Sequence, residues 1–161
     1  MTKPLSAVLI LCCVIGVAAC SSAVSPATAT ATALRSMTVF DITLTPFRAA
    51  IVGQAVSTLT NPPIPLAATI VRLAQVFWNE GHSDGAYVLE GARSPSTISD
   101  DNGFFAFANI SPGDYVVVIG DVNGQYEIVS DANAKAIIYT VAADSTLDVG
   151  TLAAAISTQG P

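Results

Sequence analysis

Gly81-His82-Ser83-Asp84-Gly85 fits the G-x-S-x-G pattern of a nucleophile elbow. In such an elbow a serine hydroxyl is exposed on a strand-turn-helix, and a His from later in the chain takes its proton. His82 is the only His and adjoins Ser83. Adjacent residues seldom face each other as nucleophile and base, so a polar hairpin loop is the expected reading. A serine hydrolase stands as the third functional reading. Asp100-Asp101-Asn102 clusters oxygen ligands of the kind Ca2+ prefers, but the EF-hand spacing and its closing Glu are missing. A turn is expected there, and no metal is assigned. The three Cys and single His form no zinc-ligand pattern. Phe77-Trp78 precedes the polar loop. Exposed with His82, these rings would offer a contact surface to a protein or carbohydrate; buried, which is the expectation, they would cap one end of the fold.

Cys20 points to different chemistry. After the single positive charge of Lys3, residues Leu5 to Ala19 are uniformly uncharged and mostly apolar. That run falls short of the ~20 residues needed to cross a bilayer, but it suits the core of a signal peptide. It ends Val17-Ala18-Ala19-Cys20. This segment resembles the lipobox of bacterial lipoproteins, in which the Cys receives a diacylglyceryl group before cleavage and further palmitate-type acylation. The resemblance implies a signal peptide over 1–19 and a lipid on Cys20. Cys12 and Cys13 would be removed, leaving one Cys that can form no internal disulfide. Ser21 after the Cys is compatible with outer-membrane sorting.

The elements that would carry any site follow from composition. The chain has 161 residues, a net charge of −6 and 11% charged side chains. That length corresponds to one ordinary domain. Twelve acidic groups against six basic ones argue against a nucleic-acid surface. Residues 20–36 comprise the lipidated Cys and a spacer rich in Ser, Thr and Ala, which buries too little surface to order itself. In Val39 to Thr45, Phe40, Ile42 and Leu44 alternate with polar residues, the period of a half-buried strand. Further β-like runs cover 51–56, 68–76, 87–90, 104–107, 115–119, 126–129, 137–141 and 147–149. Turn residues separate them, including Asn123-Gly124, a strong hairpin signal. The pattern predicts an all-β, seven- to eight-stranded antiparallel Greek-key sandwich over 37–152. Leu152 to Ile156 is read as a short helix or frayed end, opening a C-terminal tail at 153.

Within 51–152, Gly53-Gln54-Ala55, Thr97 to Phe107 (with Asn102-Gly103-Phe104-Phe105-Ala106-Phe107), Pro112-Gly113-Asp114-Tyr115 and the closing Leu147 to Leu152 stand in order. This series resembles the carboxypeptidase regulatory-like domain, a transthyretin-like (prealbumin-like) sandwich. Gly103 would permit a tight turn that sets Phe105 and Phe107 on one face. Pro112-Gly113 fits the centre of a type II turn. Residues 75–92 are longer than the family pattern. The resemblance implies a non-catalytic binding or structural domain without cofactor. The expected role is that of an exported protein, lipid-anchored at a bacterial cell membrane or outer membrane. The alternative is a subunit of a surface polymer that donates residues 37–46 as a strand.

Overall fold

The computed structural model describes residues 41–121 and 124–157. The expected signal peptide, Cys20, the expected spacer, Val39-Phe40 and Asn123 lie outside them. Glycine, proline and Asx turns separate ten strands: β1 (Ala49–Ser57), β2 (Ile64–Pro65), β3 (Ile70–Trp78), β4 (Gly85–Val88), β5 (Ser96–Ile98), β6 (Phe104–Ile110), β7 (Gly113–Gly120), β8 (Tyr126–Ile128), β9 (Ile138–Val141) and β10 (Thr146–Ala154). They form two sheets. In the first, β1 is central, β10 lies on one edge, and β6 and β2 follow end to end along the other. Ala55 marks that junction: its N–H donates to Gly103 O (2.8 Å) and its carbonyl accepts from Leu66 N (3.0 Å). In the second, β3 pairs β7, while β4 and β5 share the far edge of β3, and β8 and β9 that of β7. Three columns therefore face four, and the all-β sandwich class stands.

One pairing departs from a purely antiparallel layout, because β1 and β10 run parallel. The chain crosses from β9 in one sheet to β10 in the other, and such a crossover leaves no hairpin signal in sequence. The ladder shifts register between Val52 and Gln54, opposite Gly150 with a φ of +78°.

The core joins the two inner faces: Val71 and Leu73 of β3, Phe105 and Phe107 of β6, and Tyr115, Val117 and Ile119 of β7. Burying each such side chain stabilises by about 1.5–3 kcal/mol. Phe105 and Phe107 meet edge-on, with centroids 5.9 Å apart. β7 is also covered on its outer side. Val116 and Val118 join Ala74 and Val76 beneath Trp78, Leu89, Ile128 and Ala136. Two covered faces explain why Tyr115 to Ile119 reads as an unbroken apolar run.

Three local expectations are corrected. Residues 41–45 form no strand, although Ile42 and Leu44 are half-buried between exposed neighbours. Period two reports two-sided exposure, not a pairing partner, and a turn at Pro46-Phe47 separates this segment from β1. At the other end, Leu152 to Ile156 is neither helical nor frayed. Leu152, Ala154 and Ile156 are buried at alternate positions. Thr58 N donates to Ala154 O (2.9 Å), Ser57 Oγ donates to Ile156 O (2.7 Å), and the Glu127 carboxylate accepts from Ala155 N. Core packing thus overrides the helical propensity of the alanines. Finally, Gly113 opens β7 at a φ of +150°, far from the ~+80° of a type II centre. β6 and β7 belong to different sheets, so the connection is a crossing rather than a hairpin. The β7–β8 hairpin signalled by Asn123-Gly124 is present, with Gly120 opposite Tyr126.

Gly103 has a φ of +77°, and a Cβ there would strike the Ala55 carbonyl oxygen, which is fixed backbone. Gly103→Ala is expected to cost about 2–3 kcal/mol of stability, read as a lower urea midpoint at unchanged slope. A midpoint equal to that of the parent protein would show that this approach is not as rigid as described.

Candidate functional site

The long segment 75–92 extends β3 and β4 into a hairpin beyond the inter-sheet core. Strand parity then separates the two aromatic residues that the sequence places side by side. Trp78 shares the outer face with Val76, and Phe77 shares the inner parity of Leu73 and Gln75. The expected joint burial is therefore wrong: Trp78 is half-buried and Phe77 is 54% exposed. Gly85 pairs with Trp78, and a Cβ on it would lie 2.9 Å from the indole. The absent side chain makes room for that ring.

On the outer face, Trp78 Nε1 donates to Asp114 Oδ2 (2.6 Å), and Thr140 Oγ1 donates to Asp114 Oδ1 (2.6 Å). The His82 ring stacks on Trp78 with centroids 5.8 Å apart and 21° between planes. The hydrogen bond from Thr140, then that from Trp78, lowers the Asp114 pKa below its ordinary 3.8; burial opposes them, and the charge of His82 adds a smaller lowering. Trp78 and His82 are thus brought together, with each other rather than with Phe77. The indole is occupied by its neighbours and is not a free platform.

The tip of the hairpin is organised by Asn79. Its Oδ1 accepts from the backbone N–H groups of Ser83 (3.0 Å) and Asp84 (3.3 Å), and its Nδ2 donates to Ser83 Oγ (3.0 Å). No helix follows, and the His82 ring lies on Trp78 while Ser83 is held by Asn79. The elbow geometry is absent. Asp100-Asp101-Asn102 also makes a turn: Asp100 Oδ1 accepts from Asn102 N (2.9 Å) and Phe104 N (2.8 Å). Among the described residues no three His, Cys, Asp or Glu side chains are grouped to hold a metal.

Sequence reasoning missed a groove of about 350 Å3 on the inner side of the overhanging hairpin. Gln75, Phe77 and Val88 line its floor, and Leu73 and Tyr115 close it toward the core. Glu90, Arg93, Ser94 and Pro95 form one rim, and Ser111 the other. Pro95 O accepts from Leu73 N (2.9 Å), which ties the first rim to β3. Tyr115 Oη donates to Ser111 O (2.8 Å), and Arg48 Nη1 donates to Ser111 Oγ (2.9 Å). Burial raises the Tyr115 pKa, with the Arg48 charge pulling the other way. The usable signal was the length of 75–92, since an overlong strand pair must leave part of its inner face uncovered.

No family model and no curated protein match the chain. Among solved structures it is similar to a protein of Pseudomonas aeruginosa described as a candidate carbohydrate binder, with 19% identity, a TM-score of 0.43, and 70% of this chain and 92% of that chain covered. It is also similar to the major pilin subunit of Bacillus cereus, with 16% identity, a TM-score of 0.40, and 66% and 29% covered. A third is the minor pilin of Streptococcus agalactiae, with 12% identity, a TM-score of 0.39, and 72% and 48% covered. The chain thus spans less than half the length of either pilin. At these TM-scores the likenesses carry no argument about what this chain does.

A carboxylate whose folded pKa is depressed stabilises the fold above its unfolded pKa and loses that contribution as pH falls through the folded value. The Asp114 contribution should therefore be complete at neutral pH and fade below pH 3.8. Asp114→Ala is expected to destabilise by about 1 kcal/mol at neutral pH and to flatten the acid limb of the stability profile. The Trp78 emission should report both changes. Parallel acid limbs in the two proteins would contradict the assignment.

Proposed function

We propose that this chain is an exported, lipid-anchored envelope protein that presents a non-catalytic β-sandwich as a binding or structural module. The observation that carries the reading is Val17-Ala18-Ala19-Cys20 behind an uncharged apolar run, with Cys20 the only Cys left after cleavage. A thioether-linked diacylglyceryl group, with further acylation, holds more firmly than a single chain, at ~0.8 kcal/mol per buried CH2. The lipid fixes position, residues 21–36 set reach, and the exposed face of the sandwich makes contact. The bonding of the polar motifs supports a role without chemistry: Ser83, Asp100 and Asp114 each serve a turn or a packing cluster. The excess of acidic over basic side chains speaks against nucleic acid as partner.

Metabolic labelling with radioactive palmitate tests the anchor. Cys20→Ala is expected to lose the label and to leave the membrane fraction, whereas unchanged labelling would defeat the assignment. The second reading, strand donation within a surface polymer, draws on one observation: Ile42 and Leu44 alternate in burial without a ladder of their own. If that reading holds, deleting residues 37–46 abolishes concentration-dependent oligomers seen by sedimentation. A monomer at every concentration favours the single-module reading.

A further inference from the structure

We propose that the groove beneath the β3–β4 hairpin binds a carboxylate-bearing oligosaccharide; this rests on the reading of the chain as a contact module. Its floor supplies one open aromatic face, Phe77, beside Val88, which is 41% exposed. The CH-rich face of a pyranose can lie against such a ring, as apolar ligand surface does against aromatic pocket linings. Gln75 lies in that floor, and Ser94 and Ser111 stand on its rims. Amide and hydroxyl groups both donate and accept, which matches sugar hydroxyls. At about 350 Å3 the space falls at the small end of the ~300–1,000 Å3 range of small-molecule sites.

Charge selects the class of sugar. The described part of the chain carries four basic side chains, Arg48, Arg72, Arg93 and Lys135, among many acidic ones. Arg93 stands on one rim, and Arg48 reaches Ser111 on the other. Arg72 Nη1 is 3.4 Å from Gly91 O and braces the rim loop from behind. Among the described residues Arg93 is thus the one cation lining the groove, and Arg48 puts a second guanidinium against its Ser111 rim. Glu90 lies 3.7 Å from Arg93, but both side chains are largely exposed (85% for Arg93, 51% for Glu90). An exposed pair of this kind is worth about 0–1 kcal/mol, so it does not hold the guanidinium away from a ligand. A guanidinium meets a carboxylate through two parallel, charge-assisted hydrogen bonds, stronger than those it makes to the hydroxyls of a neutral sugar. The apolar part of the floor is too small, and too interrupted by Gln75, to select a lipid chain.

The test is titration of the full chain in detergent with trigalacturonate and, separately, with the neutral trimer of N-acetylglucosamine. Saturable binding of trigalacturonate, weakened by added salt and stronger than that of the neutral trimer, is the expected result. Phe77→Ala and Arg93→Gln should each weaken it roughly tenfold, while Tyr126→Ser, on an exposed position of β8 outside the groove, leaves it unchanged. Both groove side chains are exposed, so the variants should keep the parent's thermal midpoint. Absence of saturable binding, equal affinity for the neutral trimer, or indifference to both groove substitutions would each overturn the proposal. Palmitate labelling of Cys20 in the same preparation separates the outcomes. A labelled protein that ignores the acidic sugar removes this ligand and keeps the anchored module; an unlabelled one removes the anchor and leaves the groove to be judged by its own titration.

Discussion

The ladder between β3 and β7 is the constraint on which the other elements depend. β7 is apolar on two sides and buried from Tyr115 to Gly120, and β3 pairs with it from Val71 to Gln75. A strand in that position can tolerate neither a slip in register nor an unpaired amide, because each would place a polar group in a dry layer. Once the ladder is set, its inner side chains define where β1 and β6 must bring Ile51, Phe105 and Phe107. Its outer side chains define where Trp78 and Leu89 must lie. The hairpin that carries the groove is an extension of the same β3 strand, so the site inherits its rigidity from the most buried part of the molecule.

Much of the architecture could be read from residue patterns, for identifiable reasons. Phe104 to Phe107 follows an Asx turn closed by Gly103, where local chemistry and core packing agree. Tyr115 to Ile119 is apolar enough that only a central strand accommodates it. Where the reading failed, distant contacts had overruled local preference. The alanines after Leu152 favour a helix in isolation, but Ser57 and Thr58 offer them a strand's bonds. Ile42 and Leu44 alternate as if in a sheet, yet their segment has no ladder. Pro112-Gly113 carries turn residues at a place where the chain changes sheets.

The candidate site was less legible. Phe77 and Trp78 are adjacent, and their types alone say nothing about which side of the sandwich each faces. Parity relative to Leu73 settles that, and parity becomes usable only when the register of β3 is known. The rim residues Arg93 and Ser94 carry no motif. Arg48 and Ser111 are distant in sequence and meet only because β1 pairs with β6. By contrast, the motifs that did stand out, Gly81 to Gly85 and Asp100 to Asn102, prove to be loop-closing devices. Asp100 Oδ1 accepts two nearby amides, and Asn79 Oδ1 accepts those of Ser83 and Asp84.

The irregular edge of the first sheet has a consequence for life in a crowd. β10 is nine residues long and lies at the border of its sheet. The kink at Gly150 and the carboxylate of Glu127 on Ala155 break its outer row of amides into short stretches. On the proposed lipid anchor, molecules would be confined to two dimensions, where neighbours collide far more often than in free solution. An uninterrupted border would invite them to zip into fibres. The broken one would let anchored domains stand shoulder to shoulder and remain separate.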